Sequence, residues 1–507
     1  MSRRNPERRQ HERRSADAGN RSYGRLVNPY EPMRVLTDDH VEHLHATALD
    51  LLANDGIKVL LPEARTLFAD AGAAVDGEMV RLDPALVEQA LQSAPTEFTI
   101  HAPNPDRNVV VGGRNVVLAP AGGPPFVSDL SGGRRSGTLA DLQAFTRLVQ
   151  HFDVIGVTSP VIEPSDVQLD IRHLHSMLTT LLHSDKVPFV YARGRRRMAD
   201  EIRMLQLRWG IGDPDEFASA PRCYTNINVN SPRQLDIPMA MAIIDFARIG
   251  QAVIVTPFTL AGAMAPVTVA GALVQQHMEA LAGITLSQVV RPGAPVLYGA
   301  FTSNVDMKSG SPAFGTPEAM KAAFASGQLA RHIGVPWRSS GSSSSNSVDA
   351  QAGYETMMNT FGALFGGANW IHHSAGWQEG GLTASYEKFI VDIEMCQMIA
   401  EVFRPLSVDA GDLAVDAIRA VEPGGHYFGT AHTLERYQEA FYQPMVFSRA
   451  NFEQWTEQGS PTTEQRASEM VPTVLASCTD PDLGEATREA LLEFVARREV
   501  EGGAAPD

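Results

Sequence analysis

Several groupings in this chain have the residue types that chemistry needs. His372 and His373 are adjacent, and Trp377 stands in a glycine-rich loop. Seven serines crowd the run from Ser339 to Ser347, broken only by Gly341 and Asn346, and Asp349, Gln351 and Glu355 follow it. Histidines beside carboxylates raise the question of a metal. Adjacent side chains on a strand point to opposite faces, so only one of the two would look inward. One histidine with two carboxylates and no sulfur at fixed spacing is a poor ligand set, and no zinc is expected. No Ser/His/Asp or Cys/His arrangement is recognisable from spacing. Composition alone would make the serine run a flexible linker. Asp349 suits the first turn of the helix that follows, while spacing leaves Glu355 facing either a site or solvent. Aromatic residues recur as Phe126, Tyr191, Phe258, Tyr298, Phe301, Trp337, Trp370 and Trp377. Any one of them alone reads more readily as barrel core, with Trp377 in its glycine-rich loop the exception. Clustered, such rings hold a quaternary ammonium by cation–π attraction, worth about 2 kcal/mol when desolvated.

The elements that would position these groups repeat regularly. Apolar runs at 115–119, 154–159, 187–192, 223–229, 252–258, 295–301, 335–339 and 369–373 read as strands. Helical periodicity follows each, at 138–151, 167–183, 197–209, 235–248, 267–290, 317–333, 350–365 and 386–402. Continuous apolar runs fit parallel strands covered on both faces. Eight strand–helix units predict an α/β fold, a (β/α)8 TIM barrel. A doubly wound open sheet is the alternative, but no G-x-G-x-x-G turn opens the first unit. In such a barrel the site lies at the carboxyl ends of the strands. That places Gly122, Gly123, Arg193, Asn228, Asn230, Phe258, Phe301, Asn304, the serine run and His372-His373 in one ring. The ring is rich in neutral hydrogen-bonding groups and poor in acid–base pairs.

Composition bounds the rest. The chain has 507 residues, 44% hydrophobic and 20% charged, which suits a large barrel with additions. We expect a basic, disordered arm over 1–36, or a dock there for an acidic partner. An α+β extension is expected over 37–112, the barrel over 113–405 and a helical extension over 406–507. In the last, 432–442 and the stretch after Glu485 are the clearest helices, the former ended by Pro444. A net charge of −17 argues against a nucleic-acid binder. The three cysteines form no CxxC pair, and no apolar run marks a membrane span. Together these point to the cytoplasm.

Four stretches carry a resemblance: 123–129 with the helix after it, 348–355, 375–389 and 425–434. In them the chain resembles the trimethylamine:corrinoid methyltransferase superfamily, whose members include glycine betaine methyltransferases. The resemblance implies a (β/α)8 barrel that passes a methyl group from a methylated amine to the Co(I) corrinoid of a separate protein. It also suggests a homo-oligomer. Archaeal trimethylamine enzymes carry pyrrolysine before an Asp-x-Gln run. Here that segment, 342–348, is written in standard residues, so the chain resembles the branch without pyrrolysine that uses quaternary amines. Under this reading Trp377, Phe301, Tyr298 and Phe258 are cage candidates, and Glu355 is the carboxylate facing the cation. His373 or His372 would contact the corrinoid or its methyl group. Asn228, Asn230, Asn304 and Gln351 would position substrate, and Arg193 or Arg338 would fork a substrate carboxylate. Gly122, Gly123, Ser345, Asn346 and Glu379 would face the corrinoid. Rival readings are a non-catalytic amine-binding barrel and the same transfer from a tertiary amine or sulfonium.

Overall fold

The computed structural model describes residues 20–506. Its centre is a strongly curled parallel sheet in an α/β arrangement. The strands are β1 (Asn115–Leu118), β2 (Tyr224–Val229), β3 (Ala252–Ala261), β4 (Val296–Gly299), β5 (Phe301–Val305), β6 (Trp337–Ser340) and β7 (Trp370–His372). Parallel neighbours run β1–β7–β6–β4–β3–β2. The expected strands at 154–159 and 187–192 take part only through single parallel bridges, Val157 with Val187 and Phe189 with Tyr224. The Gly156 N–H donates to the Leu118 carbonyl at 2.9 Å. Strand β3 outlasts its partner β4, and its far half pairs with β5, Phe258 opposite Phe301. Pro312–Ala313 folds back antiparallel on β5, which raises a small wall past the strand ends.

The packing fixes which way each side chain points. Val117, Val157, Val187, Tyr224, Ile254, Leu297 and Trp370 form one cluster on the concave face. Val253, Val255, Val296, Tyr298, Trp337 and Ile371 belong to the larger core shared with the helices. Alternation along each strand then assigns Asn226, Asn228, Thr256, Phe258, Arg338, Ser340 and His372 to the concave face near the carboxyl ends.

Eight helices follow the strand positions, and all but Leu169–His183 and Arg195–Trp209 begin where a side chain satisfies a free N–H group. Thr138 and Asp141 make a reciprocal capping box for Leu139–His151. Thr316, Asp349 and Ser385 cap Pro317–His332, Ala350–Gly366 and Tyr386–Val402. Asp349 is thus the cap itself rather than a first-turn anion. The amino-terminal helices Asp38–Asn54, Pro62–Asp70 and Pro84–Ser93 flank a small sheet. Gln234–Leu235 joins that sheet beside Ile57–Val59, tying it to the loop after β2.

Of the expected 1–36 arm, Leu26–Val27 pairs antiparallel with β1, and Arg21 reaches Glu401 at 3.0 Å. The arginines before residue 20 lie outside the described residues. In the tail the expected helix at 432–442 is Ala431–Arg436, so it stops well before Pro444, while Glu485–Val500 is as expected. Among the described residues no helix is long and apolar enough to cross a membrane.

Candidate functional site

At the carboxyl ends of the strands, aromatic rings meet. Phe301, at the start of β5, stacks on Phe314 with centroids 5.2 Å apart and lies 5.0 Å from Phe258. It also lies 5.6 Å from His373 and 6.5 Å, edge-on, from Trp377. Trp377 sits 3.7 Å from the His373 ring. A Cβ on Gly381 would fall 2.3 Å from the Trp377 indole, so a glycine there leaves the ring its place. Phe258, Phe301 and Trp377 are thus brought together as expected. Tyr298 is not: it points away from the concave face, and its hydroxyl meets Gln276 at 2.9 Å and His277 at 3.1 Å. Phe314 takes the place Tyr298 was assigned. It follows the antiparallel return of Pro312–Ala313, whose register no sequence period announces.

Both histidines face the site, contrary to the alternation rule. The rule fails because His373 lies just past β7 with φ +59°, a left-handed conformation rare outside glycine. This turn brings the two rings to 4.4 Å. Such a backbone persists only where its surroundings hold it. Here Ser340 Oγ shares a hydrogen bond with His373 Nδ1 at 2.9 Å, and Trp377 packs on the ring. Burial, then His372 and Arg338 beside it, pushes the His373 pKa well below the usual histidine value. Burial and Arg338 do the same to His372. Both are therefore neutral at pH 7. Gly122 lies against His372 Nε2 and Ser159, and a Cβ on Gly123 (φ +85°) would come 2.9 Å from the Tyr191 hydroxyl. The strand end at Gly122–Gly123 is thus kept bare of side chains.

Below these rings lies Arg338, only 1% exposed. Its Nε and Nη1 are buried without an acceptor among the described residues. Its guanidinium carbon sits 5.2 Å from the Phe301 ring centre. Burial pushes its pKa down to about 9. Guanidinium groups surrender protons reluctantly, so such a group attracts an anion instead. Arg193 differs: it is exposed and lies over the Tyr191 ring at 4.8 Å.

The serine run is an ordered loop, not a linker. Glu355 Oε2 accepts from Ser343 Oγ at 2.8 Å and from the Ser344 and Ser345 N–H groups at 2.7 and 3.0 Å. Gln351 Nε2 donates to its other oxygen at 2.7 Å. These donors fill the carboxylate, and its place is under the loop rather than among the rings. The Glu379 and Gly380 N–H groups donate to Ser345 and Ser343 carbonyls at 2.8 and 3.1 Å, locking the serine loop to the Trp377 loop. Glu379 pairs in a fork with Arg134 at 2.7 and 3.0 Å. Ser345 is buried and bonds Ser347 and Asp349, while Asn346 is exposed.

The amides divide. Asn228 is exposed on the concave face and accepts from Asn226, which in turn accepts from Thr256. Asn230 accepts from the Asp236 N–H and pairs with Gln234, so it holds a turn. Asn304 accepts from Thr316 at the cap of the next helix. Asn226, missed by sequence reading, stands two residues before Asn228, the spacing that places both on one strand face. Among the described residues, no three His, Cys, Asp or Glu side chains are grouped to hold a metal.

A family model described as "Trimethylamine methyltransferase (MTTB)" matches residues 3–503. A glycine betaine methyltransferase of Desulfitobacterium hafniense (strain Y51) is 37% identical over 484 residues, covering 95% of this chain and 99% of the relative. A trimethylamine methyltransferase of Desulfitobacterium hafniense (strain DSM 10664 / DCB-2) is 30% identical over 473 residues, 92% and 95% of the two chains. Among solved structures, the monomethylamine methyltransferase of Methanosarcina barkeri aligns at 11% identity with a TM-score of 0.48, covering 94% of this chain and 98% of the other.

Proposed function

The chain belongs to the trimethylamine methyltransferase family, and from that membership we propose that it moves a methyl group from a zwitterionic quaternary amine, glycine betaine or a close analogue, to the Co(I) corrinoid of a separate protein. It is a methyltransferase by its family and relatives. The observation that carries the substrate reading is Arg338. A buried guanidinium without an acceptor is costly unless a ligand pairs with it. A betaine carboxylate supplies that pair in a forked geometry. The Phe258, Phe301, Phe314 and Trp377 rings lie nearby, where they would face the trimethylammonium by cation–π attraction. Choline and trimethylamine lack the carboxylate and would leave Arg338 alone.

The chemistry asks little proton transfer of the protein. The corrinoid is a second substrate, brought to the open strand ends. The C–N bond breaks with its electron pair going to nitrogen, and the new Co–C bond is made with cobalt's pair. A quaternary donor leaves as a neutral tertiary amine, so no proton moves. Neutral His372 and His373 fit this scheme as uncharged walls of the site. The protein's contribution is orientation, which supplies roughly 7–11 kcal/mol in well-aligned reactions. The bare Gly122–Gly123 segment leaves room for approach to the donated methyl. The same reading completes the sheet: the bridges at 157 and 189 and the Gly156–Leu118 hydrogen bond would close the curl into a (β/α)8 ring.

The test is spectroscopic. Reduced cobalamin or a corrinoid protein is mixed with the enzyme, and absorbance is followed as glycine betaine, carnitine, choline or trimethylamine is added. Methylation from glycine betaine but not from trimethylamine is expected. Failure of every donor with every corrinoid would refute the transfer.

A further inference from the structure

A chain of hydrogen bonds runs from the surface to the back of the ring cluster, through groups that methyl transfer does not use. Its outer end is the half-exposed Glu88, whose Oε1 meets His45 Nε2 at 2.9 Å. His45 Nδ1 meets His277 Nε2 at 2.8 Å, and His277 Nδ1 meets the Tyr298 hydroxyl at 3.1 Å. Gln276 Nε2 donates to that hydroxyl at 2.9 Å, and Gln276 Oε1 accepts from Thr302 Oγ1 at 2.5 Å. Thr302 follows Phe301 on β5. His45, Gln276, His277 and Tyr298 are all buried. Among the described residues no other side-chain hydrogen bond ties residues 301–303 to a helix.

One proton order satisfies every link. An ionised Glu88 only accepts, so His45 Nε2 carries the hydrogen and, in a neutral ring, Nδ1 accepts. His277 then donates through Nε2 and accepts at Nδ1 from the Tyr298 O–H. The Tyr298 oxygen accepts from the Gln276 amide, and Thr302 gives its proton to Gln276. The placement of the amide gives the same direction from the other end. A proton added at His45 makes both of its nitrogens donors and reverses the run. His277 then accepts at Nε2 and donates to the Tyr298 oxygen. The Tyr298 O–H finds its acceptor in Gln276 Oε1, and the turned amide donates to Thr302. The Thr302 proton is thereby released from the helix. Thr259 Oγ1, in register opposite Thr302, is buried without a partner among the described residues and can receive it. Burial, then His45 and His332, hold the His277 pKa well below the usual histidine value, so the added proton stays beside the Glu88 carboxylate. His332, with its ring 5.0 Å from His45, and Glu42, 3.4 Å from His332, are the other titratable groups facing His45. Glu279 and Arg81, on neighbouring elements, bond Ser231 with Arg233 and the Asn54 carbonyl instead.

We propose that Gln276 is a positioning residue for the ring cluster, held in its working orientation from the surface by His45 through His277 and Tyr298. With both histidines neutral, the bond from Thr302 to Gln276 pins β5 and keeps Phe301 against Phe258 and Phe314. Protonation at His45 unpins it, and substrate binding weakens in acid. The assignment rests on the reading of Phe301 as a wall of the amine site.

The experiment measures glycine betaine binding by calorimetry from about pH 5.5 to 8.5, the range in which histidines titrate. It uses the full chain as wild type, His45→Gln, Tyr298→Phe and Glu88→Gln. Glycine betaine itself does not titrate there. Wild-type affinity is expected to fall in acid by roughly 3- to 10-fold, the effect of one hydrogen bond. His45→Gln and Tyr298→Phe are expected to bind alike at both ends of the range. Glu88→Gln, a change at the surface, should keep the fall but move its midpoint to lower pH, because the carboxylate that favours the charged ring is gone. Residues with a packing role alone would lower affinity by the same factor at every pH. Hydrogen exchange of 301–305, corrected for its intrinsic pH dependence, makes the same comparison without ligand: faster in acid in the wild type, but not in His45→Gln. If glycine betaine binds at no pH, the substrate reading has failed, and exchange alone decides on the relay. Should the two buried variants not fold, the Glu88→Gln midpoint decides. Wild-type binding and exchange that ignore pH, an acid fall that survives His45→Gln, or an unmoved midpoint in Glu88→Gln would overturn the proposal.

Discussion

The two strongest charges near the site have opposite surroundings. Glu355 accepts four hydrogen bonds from the serine loop and Gln351. Arg338 is more deeply buried, yet its Nε and Nη1 have no acceptor among the described residues. Buried polar groups in folded proteins are nearly always satisfied. A satisfied one shapes backbone, and an unsatisfied one calls for a ligand. By this criterion the carboxylate belongs to the scaffold, and the guanidinium is the proposed recognition element.

Arg338→Met should break the contrast most sharply. Losing charge-assisted hydrogen bonds of about 1.5–3 kcal/mol should lower kcat/KM for glycine betaine by roughly 10- to 150-fold. Denaturant melts of the ligand-free protein should show no loss of stability, because an uncompensated buried charge is removed. A large loss of stability would mean that Arg338 has a structural partner instead. Glu355→Ala should behave in the opposite way. It strands three loop donors, and unfolding free energy should fall by about 2–3 kcal/mol, with activity lost only as the loop loosens. Unchanged stability would return Glu355 to the list of substrate-facing groups.

How far the contrast could be read in advance depends on the kind of signal. The helix Tyr386–Val402 is found where its periodicity placed it, and six of the eight apolar runs are strands, give or take a few residues. Strand phase was not legible. The run around Tyr298 is apolar on both sides, so nothing in it says which neighbour faces inward. A shift of one residue moves a side chain to the other face, and Tyr298 fell on the wrong side for that reason. Arg193 and Arg338 look equivalent as strand-end arginines, and only burial separates them. The left-handed turn at His373 has no sequence marker, since it stands at a non-glycine residue. The serine run shows the limit of composition: its order comes from a carboxylate on the following helix.

Trp377→Leu sharpens the comparison from the cation's side. Removing one ring of the proposed cage should cost about 0.5–2 kcal/mol, a roughly 2- to 30-fold rise in KM with kcat less affected. A fall in kcat at unchanged KM would place Trp377 at the methyl acceptor rather than the donor. The histidines give the smallest effect at neutral pH. Their folded pKa values lie well below the usual histidine value of about 6.5, so they stay neutral in the fold. Below that value the unfolded chain takes up protons that the folded one does not, and their contribution to stability is lost as pH falls. Melts should be insensitive to these groups from pH 7 to 8.5. The decline below pH 6.5 should be shallower in His373→Asn, and an equal decline would show the ring to be charged already.

The most direct measurement is a calorimetric titration of the wild-type protein with glycine betaine and with choline. The two share a trimethylammonium group and differ in the carboxylate. Glycine betaine should bind at least roughly tenfold more tightly, the equivalent of about 1.4 kcal/mol, and Arg338→Met should abolish the difference. Equal affinity, or tighter binding of choline, would contradict the assignment of Arg338 as the receiver of the carboxylate.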